Sequence, residues 1–270
     1  MAGNKSFSFH RADVRDYNGL RKIFSENKVE KIIHLAAMPS GSHSVKFPEL
    51  YADVNVNGTR NMLGLSREFG IKNFVLGSAA GVYGASGNLP FNEAEPVDSQ
   101  ITPYSQTKRA AEILCQEFSS KHSMNVSCLR IFSAYGPRMR PDMAIYRFTK
   151  LSDEDKPVEV YGDGNIQRDF TYVNDIVSGI LSCLDKDFRF EVINLGSSSP
   201  YTLKYVLRLI QLNLGKGARI HFMDRREGDA PSTYADMTKA KRLLNYSPKT
   251  EIAQGIRLFV EWYKSGKKAG

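Results

Sequence analysis

The sequence predicts an α/β fold: a parallel sheet covered by helices, with a smaller lobe at its carboxyl side. Three observations predict it. Over the first half of the chain, short apolar runs alternate with helical segments, the rhythm of a sheet covered on both faces. The run Lys31-Ile32-Ile33-His34-Leu35 is nearly continuous in apolar residues, as a strand buried in a parallel sheet must be. Beyond Pro137 the rhythm becomes irregular, which sets off a second part.

The elements follow in order. Ser6-Phe7-Ser8-Phe9 alternates with period two and reads as a strand, and Tyr17 to Ser25 reads as a helix. Lys31 to Leu35 is the next strand. A long helix follows Pro48, then Phe74-Val75-Leu76 as a strand, a helix through Tyr104, and Val126 to Phe132 as a further strand. A plain right-handed βαβ unit places the Phe7 strand directly beside that of Ile33, in a sheet of about five strands. Past Pro137, short strands are predicted at Val158–Tyr161 and Glu191–Asn194. Helices are predicted at Val173–Leu184, Leu203–Leu214 and Ile252–Tyr263. No internal repeat is visible.

Composition narrows the functional classes. At 270 residues, with 41% apolar and 24% charged residues, the chain buries a real core. No apolar run reaches the length of a membrane span, and Met1-Ala2-Gly3-Asn4-Lys5 lacks the apolar core of a secretory signal. Cys115, Cys128 and Cys183 sit in apolar patterns, without metal-ligand or disulfide spacing. They read as buried thiols in a reducing compartment, so a cytoplasmic protein with no metal site is expected. The net charge of +8 suits an anionic ligand. The basic residues are dispersed apart from Lys264-Ser265-Gly266-Lys267-Lys268, so nucleic acid is not an expected partner.

The sharpest chemical signal is Tyr104 with Lys108. Four residues apart on a helix, a phenol and an ammonium lie on one face, one turn apart. The ammonium favours the phenolate, so the tyrosine can exchange a proton near neutral pH. Alone, Y-x-x-x-K is a weak pattern. Its surroundings give it weight: His34-Leu35-Ala36-Ala37, Asn55-Val56-Asn57-Gly58-Thr59, Val82-Tyr83-Gly84, Arg130-Ile131-Phe132 with Tyr135-Gly136-Pro137, Arg168-Asp169-Phe170, and Arg226-Glu227-Gly228-Asp229. In order and spacing these resemble the extended short-chain dehydrogenase/reductase (NAD-dependent epimerase/dehydratase) family, from about Phe7 to Tyr263. Tyr135 to Ala144 (YGPRMRPDMA) is most similar to the UDP-glucuronate 4-epimerases of that family.

The resemblance implies a Rossmann-like sheet, with residues 1–136 a dinucleotide-binding domain. Residues 137–270 are then mainly a nucleotide-sugar lobe that returns at intervals to the sheet. It implies that NAD takes a hydride from C4 of a UDP-sugar and returns it to the other face of the ketone. Tyr104 would deprotonate the C4 hydroxyl, and Lys108 would hold the nicotinamide ribose and lower the tyrosine pKa. Asp13 resembles the residue that reads the adenine, and Val14, Ala36, Ala37 and Asn55 match further cofactor contacts. Arg168 and Arg226 resemble the two diphosphate ligands, a role suited to the bidentate guanidinium. Asp229 resembles a ribose or uridine contact, Arg140 the residue facing a uronic carboxylate, and Ser133 the small hydroxyl residue beside it. A homodimer is also implied. Arg138 reads as a surface ion pair, and His34 as a packed core residue without metal spacing. His43 falls in the loop that borders the sugar in relatives.

Two departures set expectations. The chain begins at what resembles the family's third strand, so the sheet is expected to lack its first two strands. No Gly-rich turn precedes Asp13 to cradle the NAD pyrophosphate. Losing two or three such contacts weakens NAD by about a thousandfold or more, so the chain is expected to purify without it. Ala79 stands where the family places its catalytic Ser or Thr, three residues before Val82. Losing one such donor costs ~10²–10³ in rate. The expected function is therefore a nucleotide-sugar 4-epimerase impaired as it stands, and the alternative is a non-catalytic UDP-sugar-binding or dimerisation relative. A dehydratase of the family would carry Thr-Asp-Glu where Ala79-Ala80-Gly81 stands.

Overall fold

The computed structural model describes residues 6–224 and 232–268. Two compact units compose it: Met1–Ser78, Thr102–Cys128 and Leu184–Glu191 form the first, and Ala79–Ile101, Leu129–Cys183 and Val192–Gly270 the second.

The elements run α1 (Tyr17–Glu26), β1 (Lys31–His34), α2 (Gly41–Lys46), α3 (Pro48–Tyr51), a π-helical stretch (Ala52–Asn57), α4 (Gly58–Glu68), β2 (Asn73–Ala79) and α5 (Pro103–His122). They continue β3 (Asn125–Ile131), β4 (Ser133–Tyr135), α6 (Ala144–Asp153), β5 (Val158–Tyr161), β6 (Gln167–Tyr172), α7 (Val173–Leu184) and β7 (Phe190–Leu195). The chain ends with β8 (Pro200–Thr202), α8 (Leu203–Leu214), β9 (Ile220–Met223), α9 (Thr238–Leu244) and α10 (Ile252–Lys268).

The main sheet has the order β1-β2-β3-β7. β1 and β2 pair in parallel from Lys31↔Asn73 to His34↔Leu76. β2 and β3 are each buried along five consecutive residues, the burial of strands covered on both faces.

One expected element is absent. Residues 7–13 carry no regular structure, so the Phe7 segment does not pair beside Ile33, and among the described residues the main sheet has four strands rather than about five. Alternation over four residues offers only two apolar side chains, and both are exposed: Phe7 47% and Phe9 78%. A strand that buries neither face gains little from pairing. The chain instead turns at Asp13, whose carbonyl accepts from Asp16 N at 3.0 Å, and enters α1. Asp16 caps that helix, its carboxylate accepting from Gly19 N at 3.0 Å.

The first unit is built around β1, β2 and the helices α4 and α5. Leu63, Leu65, Phe74, Leu76, Cys115 and Val126 are among its buried apolar side chains. Gly58 lets α4 approach the Asp13–Val14 turn, because a Cβ there would lie 2.7 Å from Val14 Cγ2. Asn61 Nδ2 completes that contact by donating to Val14 O at 3.0 Å. α5 starts sharply. Thr102 and Ser105 form a reciprocal capping box, and Pro103 occupies the first helical turn.

Among its described residues the second unit has two smaller sheets, β4-β6-β8 and β5-β9. Its core joins Tyr135, Ile145, Phe148, Val160, Phe170 and Tyr172 with Val206, Ile210, Ile256 and Phe259 from α8 and α10. α10 passes so close to Tyr135 that a Cβ on Gly255 would lie 2.0 Å from the phenol oxygen. Asp169 is fully buried and organises the surrounding loops. Its Oδ1 accepts from Thr171 Oγ1 at 3.0 Å and from Ser197 N and Oγ, both at 2.7 Å. Its Oδ2 accepts from Ser198 N at 3.0 Å and Ala235 N at 3.1 Å.

Candidate active site

In the first unit the start of α5 gathers the predicted chemistry. Tyr104 lies in the first turn, half-buried, with its backbone N–H donating to Ser44 Oγ at 3.0 Å. Its ring meets that of Tyr51 edge-on, centroids 6.3 Å apart. One turn on, Lys108 is only 5% exposed. Burial pushes its ammonium down to about 8, while Cys128, Glu112 and Cys115 act in the opposite sense. A buried lysine that titrates near neutrality, one turn from a half-exposed phenol, is an arrangement for moving a proton.

A polar network fixes this helix to the end of β1. Asn55, in the π-helical stretch, is 2% exposed. Its Oδ1 accepts from Met38 N at 2.7 Å, and its Nδ2 donates to Met38 O at 3.1 Å and to Thr107 Oγ1 at 3.0 Å. Thr107 Oγ1 in turn donates to Tyr104 O at 2.8 Å. Asn55 therefore bridges the loop carrying Ala36 and Ala37 to the helix carrying Tyr104 and Lys108. Ala36 is exposed and Ala37 half-buried. His34 is a packed residue, 4% exposed, with Nε2 at 3.1 Å from Thr59 Oγ1. Burial and then the neighbouring Lys108 push its imidazole down to about 4. π-Helical turns of this kind occur often at functional sites.

Asp13 lies on the exposed turn before α1. Arg15 engages it through its backbone N at 2.9 Å, Nε at 3.0 Å and NH2 at 2.7 Å. Those hydrogen bonds pull the carboxyl down to about 2. Val14 spends its carbonyl on Asn61 and its side chain on Gly58.

Ser78 ends the run of buried residues in β2. Its hydroxyl donates to Glu112 Oε1 at 2.7 Å, and it is 4% exposed. Its hydroxyl is therefore committed to α5.

The second unit brings Ser133 and Arg168 together on one cavity of about 240 Å³, with Arg147, Glu159 and Tyr161 in the same wall. Ser133 and Arg168 come from adjacent strands, since β4 pairs with β6 in the register Ser133↔Phe170. Arg147 pairs with Glu159, and its guanidinium lies over the Tyr161 ring, 5.7 Å from the centroid. Arg140 makes a two-point pair with Asp142, Nε–Oδ1 and NH2–Oδ2 both 3.1 Å. Arg226 and Asp229 lie outside the described residues. Sequence reasoning missed Arg147, Glu159, Tyr161 and Glu112. Only Glu112 had a signal, the repeat of the four-residue spacing from Tyr104 through Lys108. Among the described residues no group of three or more His, Cys, Asp or Glu could hold a metal ion.

The family model described as GDP-mannose 4,6 dehydratase matches residues 1–259. The chain belongs to this NAD-dependent epimerase/dehydratase family. Within the family it is 37% identical over 262 residues to UDP-glucuronate 4-epimerase of Thermodesulfobacterium geofontis (strain OPF15), covering 97% of this chain and 80% of that protein. Among solved structures it resembles the UDP-glucuronic acid 4-epimerase of Bacillus cereus in complex with UDP-glucuronic acid and NAD. The TM-score is 0.90 at 31% identity, over 98% of this chain and 83% of the other. The UDP-glucose 4-epimerase of Thermotoga maritima, solved with UDP-glucose, gives a TM-score of 0.93 at 29% identity, over 98% and 86%. The fold of the chain is accordingly the Rossmann-like α/β fold of these epimerases. No described helix is long and apolar enough to cross a membrane.

Proposed function

We propose that this chain binds a UDP-sugar, with UDP-glucuronate preferred, and carries the proton chemistry of an NAD-dependent 4-epimerase whose turnover Ala79 holds low. The observation that carries this reading is the Tyr104–Lys108 pair, a half-exposed phenol with an ammonium buried one turn along. The Bacillus cereus relative, held with UDP-glucuronic acid and NAD, supports the choice of sugar and cofactor. The residues after β1 and on α5 fit the nicotinamide end of NAD: small side chains at Ala36 and Ala37, held against Lys108's helix by Asn55. NAD, when bound, supplies the hydride acceptor for C4 of the sugar.

Tyr104 Oη takes the proton of the C4 hydroxyl. Lys108 Nζ holds the ribose and stabilises the phenolate as it forms. Asp13 and Val14 serve the adenine end, where Asp13 must first release Arg15. Arg168 and Arg226 grip the diphosphate, Asp229 the uridine ribose, and Ser133 the sugar. Arg140 turns from Asp142 to a uronic carboxylate, another two-oxygen partner of the same geometry. The active species is a homodimer.

Turnover is measured by chromatographic separation of UDP-glucuronate and UDP-galacturonate with NAD supplied. The unmodified chain is expected to turn over slowly. Ala79→Ser raises the rate ~10²–10³-fold, and adding Tyr104→Phe to that variant abolishes the gain. A fast unmodified chain would refute the limit set by Ala79. No gain from Ala79→Ser, with sugar and NAD both bound, would favour UDP-sugar binding without turnover. The commitment of Ser78 to Glu112 is what favours that second reading.

A further inference from the structure

Glu112 is a fully buried carboxylate on the same face of α5 as Tyr104 and Lys108, one turn beyond the lysine. Burying a carboxylate without partners is costly, and this one has partners chosen for an anion. Its Oε1 accepts from Ser78 Oγ at 2.7 Å and its Oε2 from Arg109 NH1 at 3.2 Å. None of this serves a substrate directly, since no part of Glu112 is exposed. Four residues before it on the same face of α5 stands the other buried ion of the helix, Lys108. An ammonium at 5% exposure loses its hydration and tends to shed its proton unless an anion lies near.

We propose that Glu112 acts on the Tyr104–Lys108 pair without touching it, as the buried counter-charge that keeps Lys108 protonated. Three elements contribute the titratable groups that bear on Lys108. Cys128 on β3 and Cys115 and Glu112 on α5 favour its charged form, and it in turn bears on His34 of β1. Both thiols are buried. His34 is held neutral. Glu112 is the carboxylate of the group, its two oxygens taken by Ser78 and Arg109. Ser78 and Arg109 then act through it: they hold the carboxylate, its charge favours the ammonium one turn away, and the ammonium serves the phenol.

The inference rests on reading Tyr104 and Lys108 as the proton-handling pair, and its test is independent of turnover. Lysine labelled with ¹³C at Cε reports each ammonium titration by NMR on the full chain, without sugar or cofactor, and Lys108→Met identifies the signal. In Glu112→Gln, which keeps the side-chain volume and an oxygen for Ser78, the Lys108 midpoint is expected to fall by about one pH unit or more, a tenfold change. Glu112→Asp should produce a smaller fall in the same direction. An unmoved midpoint in folded Glu112→Gln overturns the proposal, and if that variant does not fold, an unmoved midpoint in Glu112→Asp does so. A shifted midpoint in a protein that never turns over UDP-sugar leaves this inference standing and defeats the functional reading. Tyr104-dependent turnover with an unmoved midpoint does the reverse.

Discussion

His34 links the site to the stability of the fold. Its imidazole is held at about 4 in the folded chain, against an ordinary value near 6.5, first by burial and then by Lys108. Between those values the unfolded chain binds a proton that the folded one refuses, so stability rises with pH across the window. It is lost as pH falls from about 6.5 to about 4, by on the order of 3 kcal/mol. Urea denaturation at about pH 5 and about pH 7 should show about 2 kcal/mol of this difference, and His34→Gln should remove most of it. An equal pH response in the two proteins would place the acid sensitivity elsewhere. That His34 belongs to the core was legible in its apolar strand, as Tyr104 and Lys108 were in their spacing. The work of Asn55 was not. Its partners, Met38 and Thr107, stand 17 and 52 residues away, and only the fold brings them to one amide.

α5 shows how an element sets the precision of the site. Its first turn carries Tyr104, and that turn is held by the Thr102–Ser105 box, with Ser105 N to Thr102 Oγ1 at 3.3 Å and Thr102 N to Ser105 Oγ at 3.1 Å. Thr102→Ala is expected to cost about 1 kcal/mol, measured as a fall in the urea midpoint. Unchanged stability would mean that Ser44, which accepts from Tyr104 N, holds the turn alone. Most elements were legible from periodicity. α7 and α8 fall at the predicted residues, and β1, β2, β3 and β7 within a few of them. The Phe7 segment was misread because period-two alternation says which side chains share a face but not whether a neighbouring edge will take the hydrogen bonds. The Ser78–Glu112 bond was invisible for a related reason: it joins β2 to α5 across 34 residues.

For the molecule as a whole, the motifs in sequence order were enough to recover the family. They did not show what the arginines engage. Arg168 lies in a cavity wall and donates through NH1 to Gln167 O at 2.9 Å, and Arg140 is paired with Asp142. Calorimetry is expected to show tighter binding of UDP-glucuronate than of UDP-glucose, and Arg140→Ala should erase the difference. Equal affinities in the unmodified chain would count against a uronic acid as the preferred sugar.

Asp169 has a consequence for motion. In a sheet ladder, backbone amides are shielded by the neighbouring strand, and each opens when that strand does. Here one side chain on β6 takes the amides of Ser197, Ser198 and Ala235, none of which lies in a regular strand. Their exposure to solvent is then governed by the opening of β6, the strand that also carries Arg168, rather than by the local fraying usual in loops. Irregular segments far apart in the chain so share one opening event, and a loop in this protein can exchange its amide protons as slowly as a strand.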